Sequence, residues 1–354
     1  MGTRGKRMSV EERVEEQRRA VVEKVISDMR RDGLRWSEPY LPSLTPHNPV
    51  TGTVYHGGNR LHLGFVGMAR GFTDNRWCTF NQVQDAGWRL RKGAKSALIE
   101  RWKSFAKSEE SEETGEREVT GHYLRLVGYW NVFNASEIEG IPPEPRPQHV
   151  SDRTAAIADD IILSSRCPIV ESMRYQGSAG YAPGSDRILI APRGTFRSDE
   201  SFTRTLLHEM THSTGHPSAL NRTGDTRFGS PEYAKEELVA ELGSLFMSAD
   251  LGIQSADMEG EFYERHVAYL KSWIGALEDD PDYLFKSASL ADRASAYLKE
   301  RYDAVVEHSL DKGLEERGGE RLSLAGEAKA MREAAHAQPV HDTDDLLLES
   351  ERSA

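Results

Sequence analysis

Apolar positions recur at helical spacing from Val14 through Val21, Val22, Val25, Ile26 and Met29, and Ser9 with Glu12 forms a capping box ahead of them. A helix is therefore expected from Ser9 to about Gly33. A loop rich in Pro, Gly and Asn follows, from Pro39 to about Gly58. Leu61–Met68 and Thr79–Ala86 read as helical, and Ser96–Trp102 and His122–Phe133 as strand-like. The acidic, polar run Ser108–Gly121 reads as a solvent loop, and the prolines from Pro142 to Pro147 as a stiff linker. In the second half Arg153–Ser165 looks helical and Arg187–Ala191 strand-like.

Two further helices carry stronger signals. One has Ser198 and Asp199 as N-cap candidates, Phe202, Leu206, Leu207 and Met210 as its apolar face, and Gly215 as a stop. The other begins at Ser230-Pro231-Glu232, with Ser as N-cap and Pro at the first helical position, and runs towards Gly252. Leu238, Leu242 and Leu245 form its stripe. Two or three C-terminal helices complete the pattern, and periodicity is lost beyond about Leu310. The expected architecture is α+β in two domains, which suits 354 residues. An α+β domain spans 9–141, a linker 142–150, and a mostly helical domain with a small sheet 151–310, between disordered ends at 1–8 and 311–354.

The first of those helices carries His208-Glu209-Met210-Thr211-His212. Residues four apart share a helix face, so His208 and His212 can grip one metal ion, and Glu209 can reach a water on it as general base. A catalytic zinc needs a third protein ligand and an open position. The pattern with a third His after the Gly turn is a poor match, because Ser218 holds that place and His216 comes two residues early. A glutamate from the next helix remains. Glu237 and Glu241 flank its apolar stripe, where carboxylates are costly unless paired or metal-bound. Glu237 is expected as the third ligand and Glu241 as an outer acceptor orienting a ligand histidine. Glu236 is expected to be the exposed neighbour, and an exchange of roles among the three stays open. Tyr181 or His216 is a candidate to stabilise an oxyanion, with substrate paired along Arg187–Ala191 as an added strand.

Charge divides the chain. The net charge is −12 overall, but residues 1–150 hold 23 basic and 20 acidic side chains, a net of +3. Between His56 and Lys107 ten cations face three acids, interleaved with Phe65, Phe72, Trp77, Phe80, Trp88, Trp102 and Phe105. Cations that track phosphates, with rings that stack bases, are what sequence-tolerant single-strand binding requires. Arg60, Arg76, Trp77, Arg89, Arg91, Lys92 and Lys95 are the candidates for single-stranded DNA. Two cysteines, Cys78 and Cys167, give no disulfide framework and suit a reducing cytoplasm. No signal peptide and no apolar run of membrane-spanning length are evident, so no membrane partner is expected.

Several segments resemble a known family. His208–Arg222, Phe228-Gly-Ser and Glu236–Glu241 are similar to the zincin-like metallopeptidase domain of ArdC-type antirestriction proteins, as are Ala179–Pro192, His266–Ile274 and Phe285–Asp292. Upstream, Asn48–Asn59, Arg76–Phe80, Leu90–Lys95 and Val132–Pro142 resemble that family's N-terminal domain. The resemblance implies a single-stranded-DNA-binding domain joined to a zinc metallopeptidase domain, on a mobile element, blunting host restriction. A host protein or peptide would be the substrate. Two other readings compete. The chain coats DNA and its zinc is structural, or the acidic C-terminal half mimics DNA.

Overall fold

The capping box at Ser9 closes in both directions, its hydroxyl accepting from the Glu12 N–H (3.1 Å) and its own N–H donating to the Glu12 carboxylate (2.6 Å). That starts helix α1, Val10–Asp32, in a computed structural model that describes residues 9–33, 45–110, 117–143, 154–175, 178–222, 231–253, 270–271 and 273–315. The expected disordered start 1–8, most of the linker, Phe228-Gly-Ser and the tail from 316 lie outside the described residues.

A tight turn at 45–56 leads into α2 (Gly57–Ala69). Then come β1 (Trp77–Thr79), α3 (Phe80–Asp85), β2 (Arg89–Leu90), β3 (Ala97–Glu110), β4 (Arg117–Asn134) and β5 (Ile138–Glu139). The sheet order is β1-β4-β3, with β2 and β5 paired separately. Both long strands run into the stretch expected to be a solvent loop, pairing as far as Glu110 opposite Arg117. A backbone ladder does not require apolar side chains, and once the pairing starts at Ala97↔Val132 it extends through polar residues.

The second half has α4 (Thr154–Ser164), β6 (Ile169–Glu171), β7 (Ala179–Ala182), β8 (Arg187–Ile190), α5 (Asp199–Ser213) and α6 (Pro231–Leu251). After them come helical residues in 270–279 and the long α7 (Asp282–Glu315), which passes the expected end of order near 310. The sheet order is β6-β8-β7, with β6 parallel and β7 antiparallel to β8. β8 is therefore the middle strand and its hydrogen-bonding edges are both occupied. That overturns the expectation that substrate pairs along Arg187–Ala191, because strand order is a tertiary fact that local composition does not carry.

Residues from both sides of the expected linker share one core. Val22, Val25 and Met29 of α1 and Leu61 and Phe65 of α2 pack with Leu238, Leu242 and Phe246 of α6 and Leu284 and Phe285 of α7. A second core joins Ile188 and Ile190 to Phe202, Leu206, Leu207 and Met210 of α5 and Leu298 of α7. Arg60, expected at a DNA surface, lies in the first seam instead. It is 3% exposed and donates to Asp250 (2.7 Å), Asp292 (3.3 Å) and the Phe246 carbonyl (2.9 Å). Two more of the DNA candidates are interior. Arg76 is bound to Asp74 (2.7 Å) and the Pro142 carbonyl (2.8 Å), and Trp77 is 1% exposed with its ring edge-on to Phe72. A count of cations and rings along the chain cannot separate a surface arginine from one that is paired in a seam. No helix among the described residues is long and apolar enough to cross a membrane.

Candidate metal centre

Ser198 caps α5 by accepting from the Ser201 N–H (3.2 Å), and Asp199 and Glu200 lie in the first turn, where the helix dipole favours them. Every residue from Ser201 to Thr211 is buried, since α5 runs between the sheet and α6. α6 crosses it very closely. A Cβ on Gly243 would lie 2.5 Å from Thr211 Cγ2 and 2.9 Å from Thr211 Oγ1, so only glycine admits this approach. The Thr211 hydroxyl is itself tied to the Leu207 carbonyl (2.7 Å), and a rotamer change would not clear both branches. Gly243→Ala is expected to push the helices apart, lowering stability by about 1–3 kcal/mol as an overpacked core does. Metal affinity should fall with it. Urea unfolding of the metal-stripped and metal-loaded protein checks both effects.

That crossing brings two turns together. His208 Nε2 and His212 Nε2 are 3.2 Å apart, and the Glu237 carboxylate oxygens stand 3.4 Å from each of them. All three side chains offer ligand atoms within 4.8 Å of one another. The edge of a tetrahedron with bonds of about 2.1 Å is about 3.4 Å, so this donor set fits one divalent cation. The carboxylate of Glu209, a residue only 4% exposed, lies close enough to act on the His212 charge.

Outer partners surround the trio. Glu241 Oε2 is 3.9 Å from His208 Nδ1, and its other oxygen is held by Arg204 (2.9 Å). Glu236 was expected to face solvent, yet it is 8% exposed. Its carboxylate stands between His212 Nδ1 (3.5 Å) and the Arg222 guanidinium (2.5 Å). The reason is that α6 is buried on nearly its whole circumference from Glu236 to Ser248, between α5 and α7. Arg222 also donates to the Thr211 carbonyl and the Thr214 hydroxyl, both at 2.9 Å, and so ties the loop after α5 to α6. Neither Arg204 nor Arg222 was singled out from the sequence. An arginine one turn before His208, at helical spacing, is the signal that was there for Arg204. Tyr181 and His216 have their polar contacts elsewhere. Tyr181 donates to Asp186 (2.7 Å), and His216 Nδ1 meets Ser218 (2.7 Å).

Electrostatics match the geometry. Burial alone would depress the His212 pKa, but Glu237, Glu236 and Glu209 outweigh it and raise it well above 6.5. Burial likewise works against the Glu236 anion, and His212 and Arg222 keep its pKa low. Without a cation, then, the carboxylates hold a proton on His212. A divalent ion must displace that proton, so binding should tighten as pH rises from 6 to 8 and approach tenfold per unit while His212 remains protonated (about 1.4 kcal/mol). Calorimetric titration across that range measures it, and an affinity independent of pH contradicts it.

Four of the DNA candidates, Arg89, Arg91, Lys92 and Lys95, are exposed around the turn that precedes β3.

Comparison with known proteins places both halves. Residues 157–290 match the model of a zincin-like metallopeptidase, and residues 15–133 that of the N-terminal domain of anti-restriction factor ArdC. A protein of Sinorhizobium fredii, y4eC, is 30% identical over 81% of this chain and 90% of its own length. A DNA primase TraC of Escherichia coli is 34% identical over 78% of this chain, which spans only 26% of that protein. A second TraC, 33% identical, is spanned to 19%. Antirestriction protein ArdC of plasmid R388 superposes with TM-score 0.60 in its metal-free crystal structure (29% identity, 81% of this chain and 98% of that one). Its Mn(II)-bound structure superposes at 0.61 (28% identity, 80% and 97%). With both domain models in order along the chain, and a relative matched over nearly its full length, this chain belongs to the ArdC-like family, an ArdC N-terminal domain followed by a zincin-like metallopeptidase domain.

Proposed function

We propose that the chain is an antirestriction protein of a mobile genetic element that binds single-stranded DNA through its N-terminal half and carries a zinc-dependent peptidase centre. The names of the R388 and TraC relatives support the setting. The observation that carries the enzymatic part is the convergence of His208, His212 and Glu237 with Glu209 beside them. The R388 protein was solved with Mn(II). Zinc is the ion proposed for this chain, because two imidazoles and a carboxylate at this spacing are a usual set for it.

His208, His212 and Glu237 would hold the ion. When bound, zinc would supply Lewis acidity, lowering the pKa of a water towards neutrality. Glu209 takes the proton from the attacking water and returns it to the leaving amine. Glu236 faces the far ring nitrogen of His212 and would orient that imidazole, while Glu241, 3.9 Å from the far nitrogen of His208, is beyond hydrogen-bond reach and would act on it by charge. A peptide would pair with β7, the sheet edge that lies against α5, since β8 is covered on both sides.

A second reading keeps the DNA coating and makes the metal structural. Challenge of a restricting host with DNA carrying wild-type or Glu209→Gln protein separates them. Loss of protection in the variant supports proteolysis, and full protection supports coating.

A further inference from the structure

β3 and β4, of 14 and 18 residues, form a long hairpin. β1 covers only its root, pairing Thr79 with Val132 and Cys78 with Phe133. Outward of that, among the described residues, the hairpin is a two-stranded arm, and a bare hairpin is marginally stable in water. Its outer part nevertheless exposes aromatic rings, with Tyr123 at 49% and Trp130 at 42%.

The pleat sorts the side chains into two unlike faces. Arg101, Lys103, Phe105 and Lys107 alternate onto the face whose root residues, Ala97 and Val132, pack in the core beside Trp77. A bulge between Arg101 and Trp102 drops Val127 out of register, so the residues opposite Lys103 and Phe105 are Arg125 and Tyr123. Without that bulge Leu126 and Leu124 would stand there. The result is a face carrying Arg101, Lys103, Lys107 and Arg125 with Phe105, Tyr123 and Trp130, and no carboxylate from 97 to 107 or 121 to 132. The one acid in those stretches, Glu100, is on the opposite face, paired with Arg18 of α1 (2.5 Å). Phe105 stacks with Tyr123 at 5.8 Å and carries Arg125 over its ring. The Trp130 indole lies across Gly128, where a Cβ would come within 2.5 Å of the ring.

We infer that this face of the arm is the track for single-stranded DNA, its cations meeting phosphates and Tyr123 and Trp130 stacking bases. The inference rests on the single-strand reading above and moves the contact surface off Arg60, Arg76 and Trp77. Charge complementarity selects a polyanion, and the exposed rings select one with unpaired bases.

The test is fluorescence anisotropy of a labelled oligothymidylate with the full chain, at several salt concentrations and against a duplex competitor. Trp130→Ala should weaken binding about 5- to 150-fold, the usual range for one stacked base. Lys103→Ala with Arg125→Ala should reduce the slope of log affinity on log salt by about 1.4, at about 0.7 per phosphate contact. These side chains are exposed, so circular dichroism and the unfolding midpoint should not change. Wild-type affinity and slope retained in the folded variants would overturn the arm alone, and so would losses confined to an Arg89→Ala, Lys92→Ala variant. A wild-type chain that leaves the oligothymidylate unbound would overturn the DNA reading and the arm with it.

Discussion

Glu209→Gln is expected to keep its metal and lose peptide hydrolysis by about 10²–10⁴-fold, the usual worth of a positioned general base. The amide has nearly the volume of the carboxylate, so the buried site should close around it, and His208, His212 and Glu237 are untouched. What the variant lacks is the group that accepts a proton from water. Glu209 is not among the three groups that would hold the metal, so the ion should stay bound, loosened at most modestly by the loss of one neighbouring anion. Cleavage of a quenched-fluorophore peptide library, alongside metal analysis, reads both properties. Undiminished cleavage removes Glu209 from the mechanism. A wild-type protein that cleaves nothing while holding its metal fits the structural-zinc reading.

Arg60→Ala is expected to destabilise the whole chain by about 3 kcal/mol, the lower end for one partner removed from a buried pair. Arg60 is the cation between Asp250 at the end of α6 and Asp292 on α7, and its side chain is 4% exposed. Without it, two carboxylates face each other across a seam. Asp292 retains His56 at 3.0 Å, and Asp250 keeps some solvent at 25% exposure, which holds the penalty to that lower figure. The guanidinium also lies over the Phe246 ring at 4.4 Å, so packing is lost with the charge. Urea unfolding should show one cooperative transition shifted to lower denaturant. A shift of under about 0.5 kcal/mol, the size of an ordinary surface substitution, would mean that this ion-pair cluster does not join the halves.

How much of this was legible in the sequence depended on how local each signal was. Ser9, Ser198 and Pro231 mark helix starts because a cap works within one turn, and His208 and His212 share a face because helical geometry spans only four residues. The choice of Glu237 followed from its place beside an apolar stripe. Glu236 was misread for the same reason. An amphipathic helix has an exposed flank, but α6 is enclosed by α5 and α7, and the stripe alone does not reveal a second neighbour. Arg60 and Arg76 were misread because composition counts charge without the acids that meet it across 232 residues of chain, as Asp292 meets Arg60. The arm was hidden differently. Ser108, Glu109 and Glu110 look like loop by polarity, whereas the backbone ladder that holds them leaves no mark on side-chain character. The bulge that turns Arg125 and Tyr123 onto the cationic face is likewise invisible until the strands are in register.

Everything enzymatic depends on one cation between His208, His212 and Glu237. Crystals grown with zinc, with diffraction recorded on either side of its absorption edge, test this most directly. The expected map has a single anomalous peak about 2.1 Å from both Nε2 atoms and in contact with the Glu237 carboxylate. Zinc found elsewhere, with the imidazole pair vacant at full loading, would contradict it.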